Sequence, residues 1–245
     1  YGSEMGWRVV DELMQVCGGR GYETAESLQA RGLRGVPVEQ VMRDMRVNRI
    51  FEGSTEIMHL IIAREAMDQH LHVAGDLMEP ELPLDQKAKA LGRAGVFYAK
   101  WYPRLAVGRG LAPRSYGEYG ALAGQMRYVE RASRRLARST FYGMARWQAG
   151  TEGHGAFLGR IVDIGAELFA MSATVVYAQT AIREHPGRAA ETGELAEAFC
   201  GQAELRAERL FYELWRNADA ANHRLAMNVI GYLLVRFDKE LLLSP

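Results

Sequence analysis

Ile50-Phe51-Glu52-Gly53-Ser54-Thr55-Glu56-Ile57 decides how this chain is read. A glycine breaks the backbone pattern, a hydroxyl residue follows that can cap a helix, and apolar residues then recur at Ile57, Leu60, Ile61 and Met67. Spacings of three and four put those residues on one face of an α-helix, and a Ser or Thr at the entrance accepts a hydrogen bond from a free backbone N–H. The same unit, a glycine or proline break followed by a 3.6-residue period, repeats along the chain in both directions.

Upstream, Met5, Val9, Leu13 and Val16 mark an amphipathic helix over residues 4–17. Gly18, Gly19 and Gly21 end it, because closely spaced glycines give the freedom a tight turn needs. Residues 23–36 are polar and read as a loop with at most one helical turn. Pro37 suits a first helical position, and Val38–Val47 continues from it. Downstream, Pro80 and Pro83 place a linker at residues 73–86. A helix over Leu84–Trp101 follows, ended by Pro103, then a loop around Gly108, Gly110 and Pro113. Four long periodic segments complete the chain: Tyr116–Gln148 (closed by Gly150, Gly153 and Gly155), Ala156–Glu184, Ala189–Trp215 and Ala218–Lys239. They predict an antiparallel bundle. No period-two run is long enough for a strand, so the fold class is all-α: residues 1–72 as one helical unit, 73–86 as linker and 87–245 as a further bundle.

Composition narrows the function. The 245 residues can bury a sizeable core, and 48% hydrophobic with 24% charged residues is the balance of an ordinary globular protein. Thirty basic residues offset thirty acidic ones, so no net field draws nucleic acid to the chain. Cys17 and Cys200 are far apart in unlike contexts, which suits a reducing compartment such as the cytoplasm. No apolar run approaches the roughly 20 residues of a membrane span. The six histidines show no metal-ligand spacing, so no metal site is expected. The chain opens at Tyr1 within a helical pattern and reads as part of something longer.

Glu52 has two readings that composition leaves open. A carboxylate at a helix entrance is a favourable partner for the helix dipole. A carboxylate beside a glycine, with Ile50 and Phe51 excluding water, is also a plausible general base. Gly18-Gly19-Arg20-Gly21 follows a helix instead of a strand, which makes it a poor dinucleotide fingerprint and a good helix-ending turn. Cys17 beside it reads as a small buried residue. Arg127, Arg131, Arg134, Arg135 and Arg138 line one helix and read as salt-bridged packing inside the bundle. Aromatic and basic residues alternate from Val96 to Leu111, which suits lipid headgroups, a partner helix, or packing on the chain's own bundle.

Three segments together resemble the C-terminal end of the acyl-CoA dehydrogenase family of flavoenzymes: Gln15-Val16-Cys17-Gly18-Gly19-Arg20-Gly21-Tyr22, Pro37–Arg46, and Ile50–Ile57 running into Ile61-Ile62-Ala63-Arg64-Glu65. The resemblance covers roughly residues 1–72 and implies roles. Glu52 matches the base that removes the α-proton of an acyl-CoA thioester while the β-hydride passes to FAD. Gly53 matches the residue whose backbone lies against the substrate. Ser54, Thr55 and Glu56 match the stretch contacting FAD. Gln15, Val16, Cys17, Gly18 and Gly19 match a segment that reaches the FAD of a neighbouring subunit, which implies a homo-oligomer, dimer or tetramer. An electron-transfer flavoprotein is the implied acceptor. The loop between Tyr22 and Pro37 is longer than the family's few residues. Residues 85–245 extend past the usual end, similar in kind to the very-long-chain branch, where an added helical domain helps membrane association; a peripheral membrane location is thereby implied. The alternative is a non-catalytic helical oligomerisation module that keeps the family's packing motifs.

Overall fold

Backbone breaks set the helix boundaries in the computed structural model of the chain, which describes residues 1–51, 53–79, 81–147 and 154–242, with backbone alone for Met78 and 231–242. Gly18 takes φ 58°, a left-handed value that favours glycine, and ends α1 (Gly2–Cys17). The chain re-enters a helical turn at once, α2 (Gly19–Tyr22), so the glycine cluster bends the chain without leaving it irregular. The expected loop contains α3 (Ala25–Ala30), capped by the Thr24 hydroxyl, which accepts the Ser27 N–H at 3.2 Å. Helix α4 (Val38–Val47) has Pro37 as its cap residue, one position earlier than expected.

The helix α5 (Thr55–Met78) opens with Ser54 as its cap, whose hydroxyl accepts the Ile57 N–H. It runs through residues 73–78, where a linker was expected. The break between α5 and α6 (Leu84–Arg104) is limited to residues 79–83, and Pro80 lies outside the described residues. An ion pair between Asp76 and Arg93, at 2.5 Å, joins the two helices across this turn. Helix α6 also continues past the expected stop, since Pro103 sits in its last turn.

Two short 3-10 turns, Arg109–Leu111 and Gly117–Leu122, lead into α7 (Ala123–Trp147). Then come α8 (Gly155–Glu184), a 3-10 turn at Pro186–Arg188, α9 (Ala189–Glu213) and α10 (Asp219–Leu242). Gly150 and Gly153 lie outside the described residues. No strand occurs among the described residues, so the chain is all-α.

The core centres on α8. Its buried Ile161, Ile164, Leu168, Met171, Val175 and Ala178 follow the three-four alternation of a packed seam. On α9 the facing stripe is small, Ala196, Cys200, Ala203 and Ala207, which lets the two backbones approach closely before Phe211 and Leu214 fill the end. Helix α7 covers another side of α8 through Val129 and Ala132, and α5 covers the remaining side through Ala63 and Met67. Helix α8 is long and apolar enough, by length and composition, to cross a membrane, contrary to the expectation that no such run exists; in this fold it is the centre of the bundle.

Two expectations about packing change. The fourth bundle helix was to be α10, but every described side chain from 220 to 230 is exposed, and the place beside α8 belongs to α5. The apolar faces read on α1 and α5 are largely open, although Met67 of the α5 face is buried. Val9, Leu13 and Val16 are exposed while Val10 is buried, and Ile57, Leu60 and Ile61 are exposed while Ala63, Met67 and His70 turn inward. Periodicity identifies an apolar face; it does not say which neighbour will cover it.

The α7 arginines form the expected ion pairs only in part. Arg127, Arg131 and Arg138 donate to the carbonyls of Ser115, Gly110 and Leu105 at 2.9, 3.1 and 2.6 Å. Glu130 accepts the Gly110 N–H. Helix α7 thus grips the 105–115 connection by its backbone, and only Arg134 and Arg135 form ion pairs, with Glu130 and Glu208.

Candidate functional site

Glu52 lies outside the described residues. Its neighbours show how the segment is built. Gly53 has φ 113°, which an L side chain rarely adopts, and a Cβ there would stand 3.0 Å from Met58 Sδ. The segment therefore requires glycine immediately before the α5 cap. Phe51, Gly53 and Thr55 line a cleft of about 610 Å³, whose far wall is formed by Asp163 and Glu167 of α8 and Arg206 of α9.

The capping residues divide their work. The Ser54 hydroxyl turns to the helix. Thr55 Oγ1 donates to Glu4 Oε1 at 2.9 Å, and Arg49 Nε donates to the same oxygen at 2.6 Å. Burial pushes the Glu4 carboxyl up, but the hydrogen bonds from Thr55 and Arg49 outweigh it and hold it below the usual carboxylate range. Glu56 is exposed; hydrogen bonds from its own backbone amide and from Ser54 hold its carboxyl below the usual range as well.

Three further groups border this cleft and carry no local sequence signal. His59 Nε2 stands 3.2 Å from Asp163 Oδ1, linking the second turn of α5 to α8. Burial raises the Asp163 carboxyl, and the nearby His59 counteracts it. Glu167, nearly buried, accepts both Arg206 Nε at 2.7 Å and Nη2 at 2.9 Å, a bidentate pair, and also the Tyr1 hydroxyl at 3.3 Å. These partners are separated by more than 100 residues, or by 39 in the Arg206 pair, so no sequence window contains them.

The second candidate segment lies elsewhere. Gln15, Val16, Cys17, Gly18 and Gly19 form the last turn of α1 and the bend after it. Cys17, expected to be buried, is part-exposed, and Val16 is 82% exposed. A Cβ added at Gly18 or Gly19 would meet nothing within 4 Å, so both present bare backbone to open space. Glu4, which holds Thr55, and Gln15 are eleven residues apart on α1, or about 16 Å along its axis. The structure therefore puts Ser54–Glu56 and Gln15–Gly19 at opposite ends of one helix. Among the described residues no cluster of three metal-ligating side chains occurs.

Comparison with known proteins places these features in context. Residues 1–67 match the family described as "Acyl-CoA dehydrogenase, C-terminal domain". The chain is 60% identical over 230 residues to "Probable acyl-CoA dehydrogenase FadE10" of Mycobacterium tuberculosis, covering 94% of this chain and 35% of that protein. It is 26% identical over 227 residues to the "Very long-chain specific acyl-CoA dehydrogenase, mitochondrial" of Homo sapiens, covering 89% of this chain and 32% of that one. The crystal structure of an acyl-CoA dehydrogenase complexed with FAD from Bacillus anthracis superposes with a TM-score of 0.63 at 26% identity, over 92% of this chain and 34% of that one. The chain thus spans about a third of the length of the relatives it matches.

Proposed function

Because the chain belongs to the acyl-CoA dehydrogenase family, with residues 1–67 as its C-terminal domain, we propose that it supplies the base-bearing C-terminal part of an FAD-dependent acyl-CoA dehydrogenase. The observation that carries this reading is the match of residues 1–67, which includes Phe51-Glu52-Gly53-Ser54, at a glycine-dependent turn opening a capped helix. In this reading Glu52 removes the α-proton of an acyl-CoA thioester. That proton is weakly acidic, so a carboxylate of raised pKa is the base required. Gly53 lets the backbone lie against the substrate without a Cβ in the way. FAD, when bound, supplies the hydride acceptor.

The residues present fit a flavin as partial walls. Gly18 and Gly19 have open space where a Cβ would stand, so a flat ligand can rest on the backbone there, with Gln15, Val16 and Cys17 beside it. Ser54, Thr55 and Glu56 form the other wall. Their separation along α1 agrees with an assembly in which 15–19 serves the FAD of a neighbouring copy. The open face of Val9, Leu13 and Val16 likewise suits burial against another part of such a dimer or tetramer. The acceptor of the reduced flavin's electrons would be an electron-transfer flavoprotein.

A full-length protein carrying this sequence should purify yellow and lose its flavin colour on anaerobic addition of an acyl-CoA. A colourless full-length protein that oligomerises normally would instead support the non-catalytic helical module.

A further inference from the structure

The segment carrying Glu52 is closed by one carboxylate. Arg49 precedes residues 50–54 and Thr55 follows them, and both donate to Glu4 Oε1, at 2.6 and 2.9 Å. The Thr55 N–H also donates to the Arg49 carbonyl at 3.3 Å, so the two ends of the segment are tied to each other as well as to α1. Glu4 sits in the first turn of a 16-residue helix packed against α4, which makes the anchor rigid. Trp7, one turn further along, lies beside the guanidinium of Arg49, 5.8 Å from its ring centre.

A segment tied at both ends has little backbone freedom left at Ile50, Phe51, Gly53 and Ser54. A displacement of about 1 Å in a reacting group costs on the order of a hundredfold in rate. The Glu4 carboxylate takes a charged N–H and a neutral O–H at once, and charge-assisted bonds are the stronger kind, so the neutral amide of a Gln would hold this closure less tightly. We propose that Glu4 is a positioning residue: through Arg49 and Thr55 it fixes the segment bearing Glu52 for proton abstraction. The proposal rests on the reading of Glu52 as the base.

Two sets of measurements test it. In the 245-residue chain, backbone amide exchange over residues 50–56 should quicken in Glu4→Gln and Thr55→Val and stay unchanged in Glu12→Gln, whose side chain is exposed on the same helix. Helical content should match in all three. In a full-length, FAD-loaded protein carrying this sequence, Glu4→Gln should slow flavin reduction by acyl-CoA about tenfold while FAD occupancy and acyl-CoA affinity hold. Glu12→Gln should keep the wild-type rate, and Glu4→Gln combined with Thr55→Val should be no slower than either alone, because both loosen one closure. Wild-type exchange in Glu4→Gln, a wild-type reduction rate, or additive losses in the double variant would overturn the proposal. Glu52→Gln separates the two ideas. If it abolishes reduction while Glu4→Gln does not slow it, the positioning role alone falls; if it reduces at the normal rate, the base assignment falls.

Discussion

Two glycines and one histidine show how much single side chains decide here. A Cβ on Gly143 of α7 would stand 2.5 Å from the ring of the buried Phe157, whereas one on Gly165 of α8 would meet only Leu136 at 3.8 Å. Gly143→Ala should therefore cost about 1–3 kcal/mol through overpacking, and Gly165→Ala should be neutral or slightly stabilising. Urea midpoints of the two variants check this, and equal midpoints would contradict it. His70 is buried among Phe97, Tyr98, Trp101 and Phe141, with Nδ1 3.1 Å from the Tyr98 hydroxyl. Burial lowers its pKa, so the folded chain holds it neutral. The unfolded chain then binds the extra proton, and the stability this neutral ring contributes is complete above about pH 6.5 and is lost as pH falls below it. Urea titrations at pH 5.5 and 7.5 should show a larger acid loss for wild type than for His70→Gln. An equal loss would remove His70 from the account.

At the scale of elements, helix type and order were legible because breaks and caps are local. Gly18, Pro37, Ser54 and His185-Pro186 mark boundaries within a residue or two of where helices begin and end. What covers each helix was not legible. The isoleucines of α5 and Val9, Leu13 and Val16 of α1 give the strongest periodic apolar signal, yet they stay open while Ala63 and Val10 are buried. Alanine buries because it permits close approach to α8, a property of the neighbour that no local pattern encodes. The site was half legible for the same reason: Gly53 and Ser54 announce themselves, but Glu4 reaches Thr55 across 51 residues and His59 meets Asp163 across a longer gap. Helix α6 adds a prediction at this scale. Val96, Phe97 and Trp101 with Lys100 and Arg104 line a surface groove of about 710 Å³, and we propose that this face makes peripheral contact with anionic headgroups. The chain should sediment with phosphatidylglycerol vesicles at low salt and not with phosphatidylcholine ones, and Lys100→Glu with Arg104→Glu should abolish it. Retention by the double variant would exclude this face.

At the scale of the whole molecule, one helix, α5, joins two parts. Residues 1–67 carry the family match, and α5 extends from that region to lie against α8 of the bundle. The His59–Asp163 contact and the Tyr1–Glu167–Arg206 cluster reinforce the same junction, so Phe51, Gly53 and Thr55 sit where the two meet. In the proposed reaction this segment delivers the Glu52 carboxylate to an acyl-CoA bound beside FAD. Anaerobic stopped-flow reduction of the flavin in a full-length protein carrying Glu52→Gln tests this role. FAD occupancy and acyl-CoA binding should be normal, with flavin reduction slowed by at least about a hundredfold. Bleaching at the wild-type rate would contradict it.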